Sequence, residues 1–442
     1  MFSRKDLTRL IIPLIIEQVF AATIGIADTL MVAKVGEAAV SGVALVDAVN
    51  MLLIGVFAAL ATGGAIITAQ YLGREDKDGA NRSAKQLFLI TVLLSAVITV
   101  VSFAANRPIL SLLYGAVEPE VMQNARSYYY LSALSYPFIA AFNACAALFR
   151  SMNNSRVSMF ASGLMNIVNV AGNALFIFGF GMGVAGAGLA SLIARALGAV
   201  VLFILLSRKP RYIIHFEKML PLRLEFDTIK NILRIGIPSG LENGIFQIGK
   251  ILVQGIVTSF GTAAIAANAV AASVTSVAMM PGSAIGMAAI TVVGQCIGAH
   301  DYKQAAHYMK KMVIISQMMV AAINILMAVF MGPILSLYDL GPESVSLARQ
   351  MVLCTAILGA LFWSVSFILP SGLRAANDVK FTMVTAIVSM WVFRLGGGYV
   401  FANVLGFGVI GVWIGMGADW IFRCIMFIMR YVTGKWKHRQ II

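Results

Sequence analysis

Two carboxylates lie within the first long apolar run of the chain, where charged side chains are rare. Glu17 and Asp28 are eleven residues apart, which places them about 20° apart around an α-helix and roughly 16 Å apart along it. An ionisable group inside a membrane-spanning segment is costly, and it is by default a candidate for binding an ion or a substrate. The alternative is a structural role, in which a neighbouring helix neutralises the carboxylate.

Amides and a hydroxyl in later apolar runs could complete a site around Asp28. Asn166, Asn169 and Asn173 fall within about 60° of one another on one helix face. Ser191 lies in the next run. Amide oxygens and a hydroxyl beside Asp28 would form an oxygen cage for a hard cation, or would support a carboxylate that accepts a proton. The alternative is that the amides only join helices.

A second polar stripe lies at the start of the second half of the chain. Glu242 is followed by Gln247, Lys250 and Gln254 at helical spacing. We expect these four residues, together with Glu17, to face a substrate cleft. For Lys250, the alternative is pairing with a nearby carboxylate.

The motifs of a catalytic or nucleotide-driven site are missing from the sequence. There is no G-x-x-x-x-G-K-[ST] loop and no Ser/His/Asp set, and the four cysteines show neither metal-ligand spacing nor a disulfide framework. We therefore predict a protein that is not an enzyme, has no cofactor and takes energy from an ion gradient or from the gradient of its substrate.

The elements that must position these residues are membrane-spanning helices. The chain of 442 residues is 60% hydrophobic and only 12% charged, and a helix needs roughly 20 apolar residues to cross a bilayer. Twelve such spans are predicted, near residues 10–33, 41–69, 86–106, 122–148, 156–179, 183–207, 231–257, 268–297, 310–332, 346–370, 380–401 and 408–433. The predicted fold class is therefore an all-α polytopic membrane protein embedded in a lipid bilayer.

The basic residues predict the orientation of these spans. When the connections alternate between the two sides, one side carries both termini and 25 of the 33 Lys and Arg residues. By the positive-inside rule, both termini lie in the cytoplasm. The net charge of +14 is thus an orientation signal, and no nucleic-acid partner is expected. We expect a monomer in the cell inner membrane.

The second half of the chain repeats the sequence pattern of the first half. With an offset of 225 residues, 15 of the 73 positions from Pro13 to Lys85 are identical, and the matches include Glu17 with Glu242. We therefore predict two six-helix lobes, 1–207 and 231–442, joined by a cytoplasmic linker at 208–230. Six spans per lobe make a parallel repeat with a pseudo-twofold axis, and the expected substrate cleft lies between the lobes.

The candidate ion site has no counterpart in the second half. Asp28 meets Val253, and Asn169 and Asn173 meet Phe393 and Gly397 or their neighbours. We therefore expect ion coupling in the N-terminal lobe alone.

Two further sets of polar residues are predicted to be structural. Asp47 and Asn50 are expected to cap the second span at its start. The motif R-x-x-N recurs at Arg150 and Arg374, where we expect it to tie helix ends together on the cytoplasmic side.

Several motifs resemble those of the multidrug and toxic compound extrusion (MATE) family, and the resemblance covers nearly the whole chain. They are residues 26–32 (IADTLMV) with 35–39 (VGEAA), 70–73 (QYLG), and 173–179 (NALFIFG) with 183–188 (GVAGAG).

The resemblance implies roles for individual residues. Asp28 matches the acid that binds Na⁺ or H⁺ in prokaryotic members, and Asn169, Asn173 and Ser191 match positions around it. We therefore predict Asp28, Asn169 and Asn173 as metal ligands and Ser191 as a further ion-coupling residue. Members with a well-formed cation site commonly carry Asp where Asn173 stands, and one carboxylate fewer lowers the expected affinity for Na⁺.

These observations predict an antiporter that is coupled to Na⁺ or H⁺ and exports small amphipathic compounds, such as drugs, by alternating access. Lys250 opposes a purely cationic substrate. The alternatives are a flippase for lipid-linked precursors, which Arg195, Lys250 and Arg394 would favour, and a membrane-embedded receptor or enzyme.

Overall fold

The computed structural model of the chain describes residues 2–114, 117–208, 212–216, 224–338 and 340–438. Helices dominate, and no strand occurs in these ranges. The contacts group the chain into two compact units, Phe2–Gly240 and Leu241–Ile442. The predicted domain boundaries stay a prediction, since part of the predicted linker, at 209–211 and 217–223, lies outside the described residues.

The first unit is built around one buried helix, α5, which packs against α2, α3 and α7. Its helices are α1 (Arg4–Ala33), α2 (Glu37–Gly73), α3 (Lys77–Ala104), α4 (Asn106–Tyr114), α5 (Pro119–Ser151), α6 (Ser155–Asn173) and α7 (Gly183–Ser207). The short segment 212–216 packs onto this unit, where Phe216 contacts the rings of Phe88 and Phe203.

The second unit is built in a similar way around α9, which packs against α10, α12 and α13. Helix α8 (Phe226–Thr258) begins in the first unit and continues in the second. The other helices are α9 (Thr262–Gly298), α10 (Tyr302–Val329), α11 (Met331–Ser336), α12 (Pro342–Leu358), α13 (Ser364–Ala375), α14 (Val379–Val388) and α15 (Val409–Val432), followed by a 3₁₀ turn at Lys435–His438.

Stretches of π-helix extend three of these helices. Ala174–Gly179 continues α6, Gly359–Trp363 joins α12 to α13, and Ser389–Gly397 and Val400–Val404 continue α14. Within the described residues, eleven helices or joined helices are long and apolar enough to cross a membrane. Helix α8, with the polar stripe from Glu242 to Gln254, is the twelfth long helix.

The predicted spans match these helices, but several helices begin earlier than predicted. Helix α3 starts at Lys77 and α10 at Tyr302, because Asp76 and Asp301 cap them by accepting hydrogen bonds from the backbone N–H groups of Gly79 and Gln304. Polar first turns outside the apolar core of a bilayer carry no hydrophobic signal, so the apolar runs mark only the inner part of each helix.

Backbone geometry repeats between the two units at the offset seen in the sequence, or within one residue of it. The non-glycine residues with positive φ are, among the described residues, two matched pairs: Glu75 (61°) with His300 (57°) and Asn153 (59°) with Asn377 (67°). Both pairs follow the last turn of a helix, where a left-handed residue ends the helical path. The second pair agrees with the structural role predicted for the R-x-x-N motifs.

A matched pair of glycines permits close helix contacts in both units. A Cβ atom on Gly186 would lie 2.9 Å from the carbonyl carbon of Phe176, and one on Gly411 would lie 2.5 Å from that of Phe401. Each glycine therefore allows α7 or α15 to approach the π-helical stretch that precedes it in the chain.

Candidate functional site

A chain of hydrogen bonds joins the four predicted ion-coupling residues. The Asn173 amide donates to the Asp28 carboxylate and, at 3.4 Å, to the side-chain oxygen of Asn169. The Asn169 amide in turn donates to the Ser191 hydroxyl oxygen over 3.1 Å. Helices α1, α6 and α7 each supply part of this chain, so the structure brings Asp28, Asn169, Asn173 and Ser191 together.

The site is shielded from solvent and offers oxygen ligands. Asn173 is 0% exposed and Asn169 is 2% exposed, whereas Asp28 is half-buried. Among the described residues, the side-chain oxygen of Asn173 has no hydrogen-bond partner, although buried polar atoms are nearly always paired. A free amide oxygen beside a carboxylate suits either Na⁺, which binds oxygen ligands, or a proton on Asp28.

The third residue of the predicted amide stripe does not join this chain. Asn166 is buried on the same helix, but its amide donates to the backbone oxygens of Phe20 and Ser162. It therefore ties α6 to α1. Directly after Asn173 the helix changes to a π-helical turn, a local widening that is frequent at functional sites.

No group of three or more His, Cys, Asp or Glu side chains converges in the part of the chain that the structure describes. A cation at this site would therefore depend on the single Asp28 carboxylate and on neutral oxygens. That donor set fits a weakly held hard cation and does not fit a transition metal.

Asp47 and Asn50 do not cap α2, which corrects the prediction from the sequence. Helix α2 begins at Glu37 after Gly36, ten residues before Asp47. Both residues are inside the helix, where the Asn50 amide donates to Asp47 and to Ser132 at 3.2 Å, and Tyr136 donates to Asn50 at 2.9 Å. The predicted second span begins at residue 41 and not at Glu37, because the first turn of α2 is less apolar than the residues that follow it.

A cation lies near both carboxylates of this region. Arg195, on α7, donates a 2.7 Å hydrogen bond to the hydroxyl of Ser135. Its charge acts on Asp28 and on Asp47. The first unit therefore holds two half-buried carboxylates and one guanidinium close to the predicted ion site.

Glu17 and Glu242, which were predicted to face a substrate cleft, are each held in an ion pair. Arg150 lies 3.1 Å from Glu17, and Arg374 lies 3.0 Å from Glu242. Ser158 also donates to Glu17 over 2.7 Å. The arginines come from the two R-x-x-N motifs, so this motif is where each unit neutralises its buried glutamate. Contact of Glu17 or Glu242 with a substrate stays a prediction.

The predicted residues Lys250 and Gln254 line a cavity of about 530 Å³ in the second unit. Gln254 accepts a 2.9 Å hydrogen bond from Asn268, which is also part of the lining. Gln247 is not among the residues that line this cavity. In the described residues, Lys250 forms no ion pair with a carboxylate.

A buried charge cluster beside the cavity was missed from the sequence. Asp419 is 0% exposed, and its carboxylate lies 2.7 Å from Arg423 and 3.7 Å from Arg394. Ser389 donates to the same carboxylate. Asp419 and Arg423 are one helical turn apart on α15, and this spacing of opposite charges inside an apolar run was the available signal.

Comparisons with known proteins agree with this architecture. A sequence model of the family described as MatE matches residues 13–175 and, again, residues 238–400. An uncharacterized transporter, YisQ of Bacillus subtilis (strain 168), is 28% identical over 96% of this chain and 93% of its own length. The probable multidrug resistance protein NorM of Thermotoga maritima is 26% identical over 99% of this chain and 94% of its own.

A solved structure shares the fold. It shows the outward-facing conformation of a multidrug resistance MATE family transporter of the MOP superfamily, with a TM-score of 0.91 and 21% sequence identity over 97% of this chain and 96% of that chain. The predicted all-α membrane fold with twelve spanning helices is thereby confirmed.

Proposed function

Because the chain belongs to the MatE family, and is thus a multi-pass membrane transporter and not an enzyme, we propose that it is an antiporter coupled to Na⁺ or H⁺. It exports small amphipathic compounds by alternating access. The observation that carries this proposal is the hydrogen-bonded chain from Asp28 through Asn173 and Asn169 to Ser191.

The coupling follows from the chemistry of Asp28. A proton on this carboxylate, or a Na⁺ ion that binds it, competes with the hydrogen bond from Asn173, which links α1 to α6. The ion therefore changes the relative stability of two arrangements of these helices. An ion or a substrate shifts such an equilibrium only if it binds the two arrangements with different affinity.

The names of the relatives support the substrate class. NorM of Thermotoga maritima is described as a probable multidrug resistance protein, and such proteins act on small drug-like compounds. The proposal includes a monomer in the inner membrane with both termini in the cytoplasm. The distribution of basic residues supports the position of the termini.

The test is transport by purified protein in liposomes loaded with a drug, with a Na⁺ gradient imposed in one set and a pH gradient in the other. We expect one gradient to drive efflux. We expect Asp28→Asn to fold and to lose that efflux, because the amide cannot take up a proton and binds a cation poorly.

The matched control is Asp78→Asn, which removes an exposed carboxylate from the same half of the chain and should leave efflux unchanged. Full gradient-driven efflux by Asp28→Asn would remove this residue from the mechanism. Transport with neither gradient would refute ion coupling altogether.

A further inference from the structure

The cavity in the second unit is lined by aromatic rings and cations. Phe246, Trp363, Phe367, Trp413 and Trp420 form much of its wall, and Lys250 and Arg394 supply its charge. No Asp or Glu is among its lining residues. A volume of about 530 Å³ lies in the range that holds drug-sized ligands.

The charges around the cavity do not balance. Asp419 is the carboxylate that pairs with Arg394 and Arg423, so one carboxylate faces two guanidinium groups. Lys250 adds a third basic group, and it lines the same cavity as Arg394. Cations without a counter-charge are costly inside a bundle of apolar helices. Glu242 cannot supply that counter-charge, because it is paired with Arg374.

In the part of the chain that the structure describes, three polar atoms on the lining residues lack a hydrogen-bond partner, and all three can donate. They are the indole Nε1 of Trp420, the Nε of Arg394 and the hydroxyl of Thr275. Trp420 is only 3% exposed. The indole and guanidinium nitrogens can only donate, so a ligand that satisfies them must supply acceptor atoms.

The position of the cavity in the repeat strengthens this argument. In the repeat, Arg394 lies within one residue of the position that matches Asn169, and Met416 matches Ser191 at the 225-residue offset. In the first unit, Asn169 donates to Ser191 over 3.1 Å; in the second, Arg394 contacts the sulfur of Met416 over 3.1 Å. Val253, which matches Asp28, lines the cavity. The repeat thus places a carboxylate-containing site and a cationic cavity at matching positions.

We propose that this cavity binds an amphipathic organic anion, with the acidic group on Lys250 and Arg394 and a flat apolar body against the aromatic rings. This assignment of a substrate class rests on the proposed function as a transporter. An organic cation would meet two like charges and no free carboxylate, because Asp419 is already paired. Arg394 and Arg423 also lie 5.5 and 5.3 Å from the ring centre of Phe246, which holds both cations beside the wall.

The experiment compares three probes with the same ring system: 2-naphthoate, its neutral amide and 2-naphthylmethylammonium. Binding to the purified full-length protein in detergent is measured by equilibrium dialysis, with no ion gradient. We expect the carboxylate to bind at least about tenfold more tightly than the amide, because its head group gains charge-assisted hydrogen bonds. The ammonium probe should bind more weakly than the amide.

Variants at Lys250 test the site itself. Lys250→Gln should weaken naphthoate binding by about tenfold or more, and Lys250→Glu should shift the preference toward the ammonium probe. Lys250 makes no ion pair in the described residues, so these changes leave the buried cluster at Asp419 intact. Lys380→Gln removes an exposed lysine outside the cavity lining and should change nothing.

The outcomes separate this inference from the proposed function. Tighter binding of the ammonium probe, or naphthoate binding that is the same in Lys250→Gln, would overturn the anion site even if a gradient drives transport. Naphthoate binding that depends on Lys250 supports the anion site even in Asp28→Asn, where transport is expected to fail.

Discussion

At the scale of single residues, Asn173 has the most informative environment in the first unit. Its amide nitrogen contacts both Asp28 and Asn169, while its oxygen has no partner. The side chain therefore holds the carboxylate in place and also presents an acceptor next to it. An ionised aspartate at this position could not donate a hydrogen bond to Asp28.

Asn173→Asp should therefore raise the affinity of the site for Na⁺. Two carboxylates side by side repel each other unless a cation lies between them, and the affinity of an oxygen site rises with ligand charge. We expect the Na⁺ concentration for half-maximal transport to fall by about tenfold or more. The measurement is drug efflux from liposomes over a series of Na⁺ concentrations.

The control for this change is Asn243→Asp, which adds a carboxylate at an exposed position of α8. Its Na⁺ dependence should equal that of the unchanged protein. If Asn173→Asp also showed an unchanged Na⁺ dependence, Asn173 would not be a cation ligand.

The sequence predicts the candidate site best where the residues of the site lie on one helix. The spacing of Asn169 and Asn173 predicts that both lie on one face of α6, and in the structure Asn173 donates to Asp28 and to Asn169. The spacing of Asp419 and Arg423 is visible in the sequence, but the contact of Asp419 with Arg394 is not, because Arg394 lies in an earlier helical segment, 25 residues away in sequence. No local pattern reports a pair that only tertiary packing brings together.

At the scale of helices, an acid–arginine pair that is largely shielded from solvent joins the first long helix of each unit to another helix. Glu17 on α1 meets Arg150 on α5, and Glu242 on α8 meets Arg374 on α13. All four side chains are less than one-fifth exposed. The two pairs are equivalent in the repeat, so they should have similar energetics.

Removing one partner of such a pair should destabilise the protein more than removing both. Arg150→Gln leaves Glu17 buried without its counter-charge, at a cost of about 3–5 kcal/mol. Adding Glu17→Gln should recover part of that loss, because no unpaired charge then remains. The measurement is the thermal unfolding midpoint in detergent for the two single variants and the double variant.

The same cycle at Glu242 and Arg374 is the internal comparison, and it should show non-additivity of the same sign. Simple additivity of the single variants in either cycle would mean that the pair contributes no coupling energy.

The helix boundaries show where apolar patterning stops being informative. Helix α2 begins at Glu37, directly after Gly36 with a φ of 145°, and its first turn carries the charged side chain of Glu37. The π-helical stretches were not predicted either. A local change from α-helix to π-helix inside an apolar run leaves no trace in composition.

At the scale of the whole molecule, the distribution of basic residues predicts which loops face the cytoplasm. Labelling with a membrane-impermeant maleimide tests this directly. Glu75→Cys, in the exposed loop between α2 and α3, should react only after the membrane is permeabilised. Lys34→Cys, in the exposed loop between α1 and α2, should react in intact cells.

The unchanged protein is the control for this experiment, since Cys145, Cys296 and Cys424 are buried and Cys354 is half-buried. Its labelling gives the background. Reaction of Glu75→Cys in intact cells would reverse the predicted orientation.

Matching positions in the two units carry unlike chemistry, and this has an evolutionary consequence. Had two separate identical chains formed the transporter, a change from Asn to Arg at the position of Asn169 would have altered both copies together. Once the halves were joined in one chain, Arg394 could arise while Asn169 stayed neutral. Joining the halves in one chain therefore allowed matching positions to diverge, so that a neutral amide stands in one half and a guanidinium in the other.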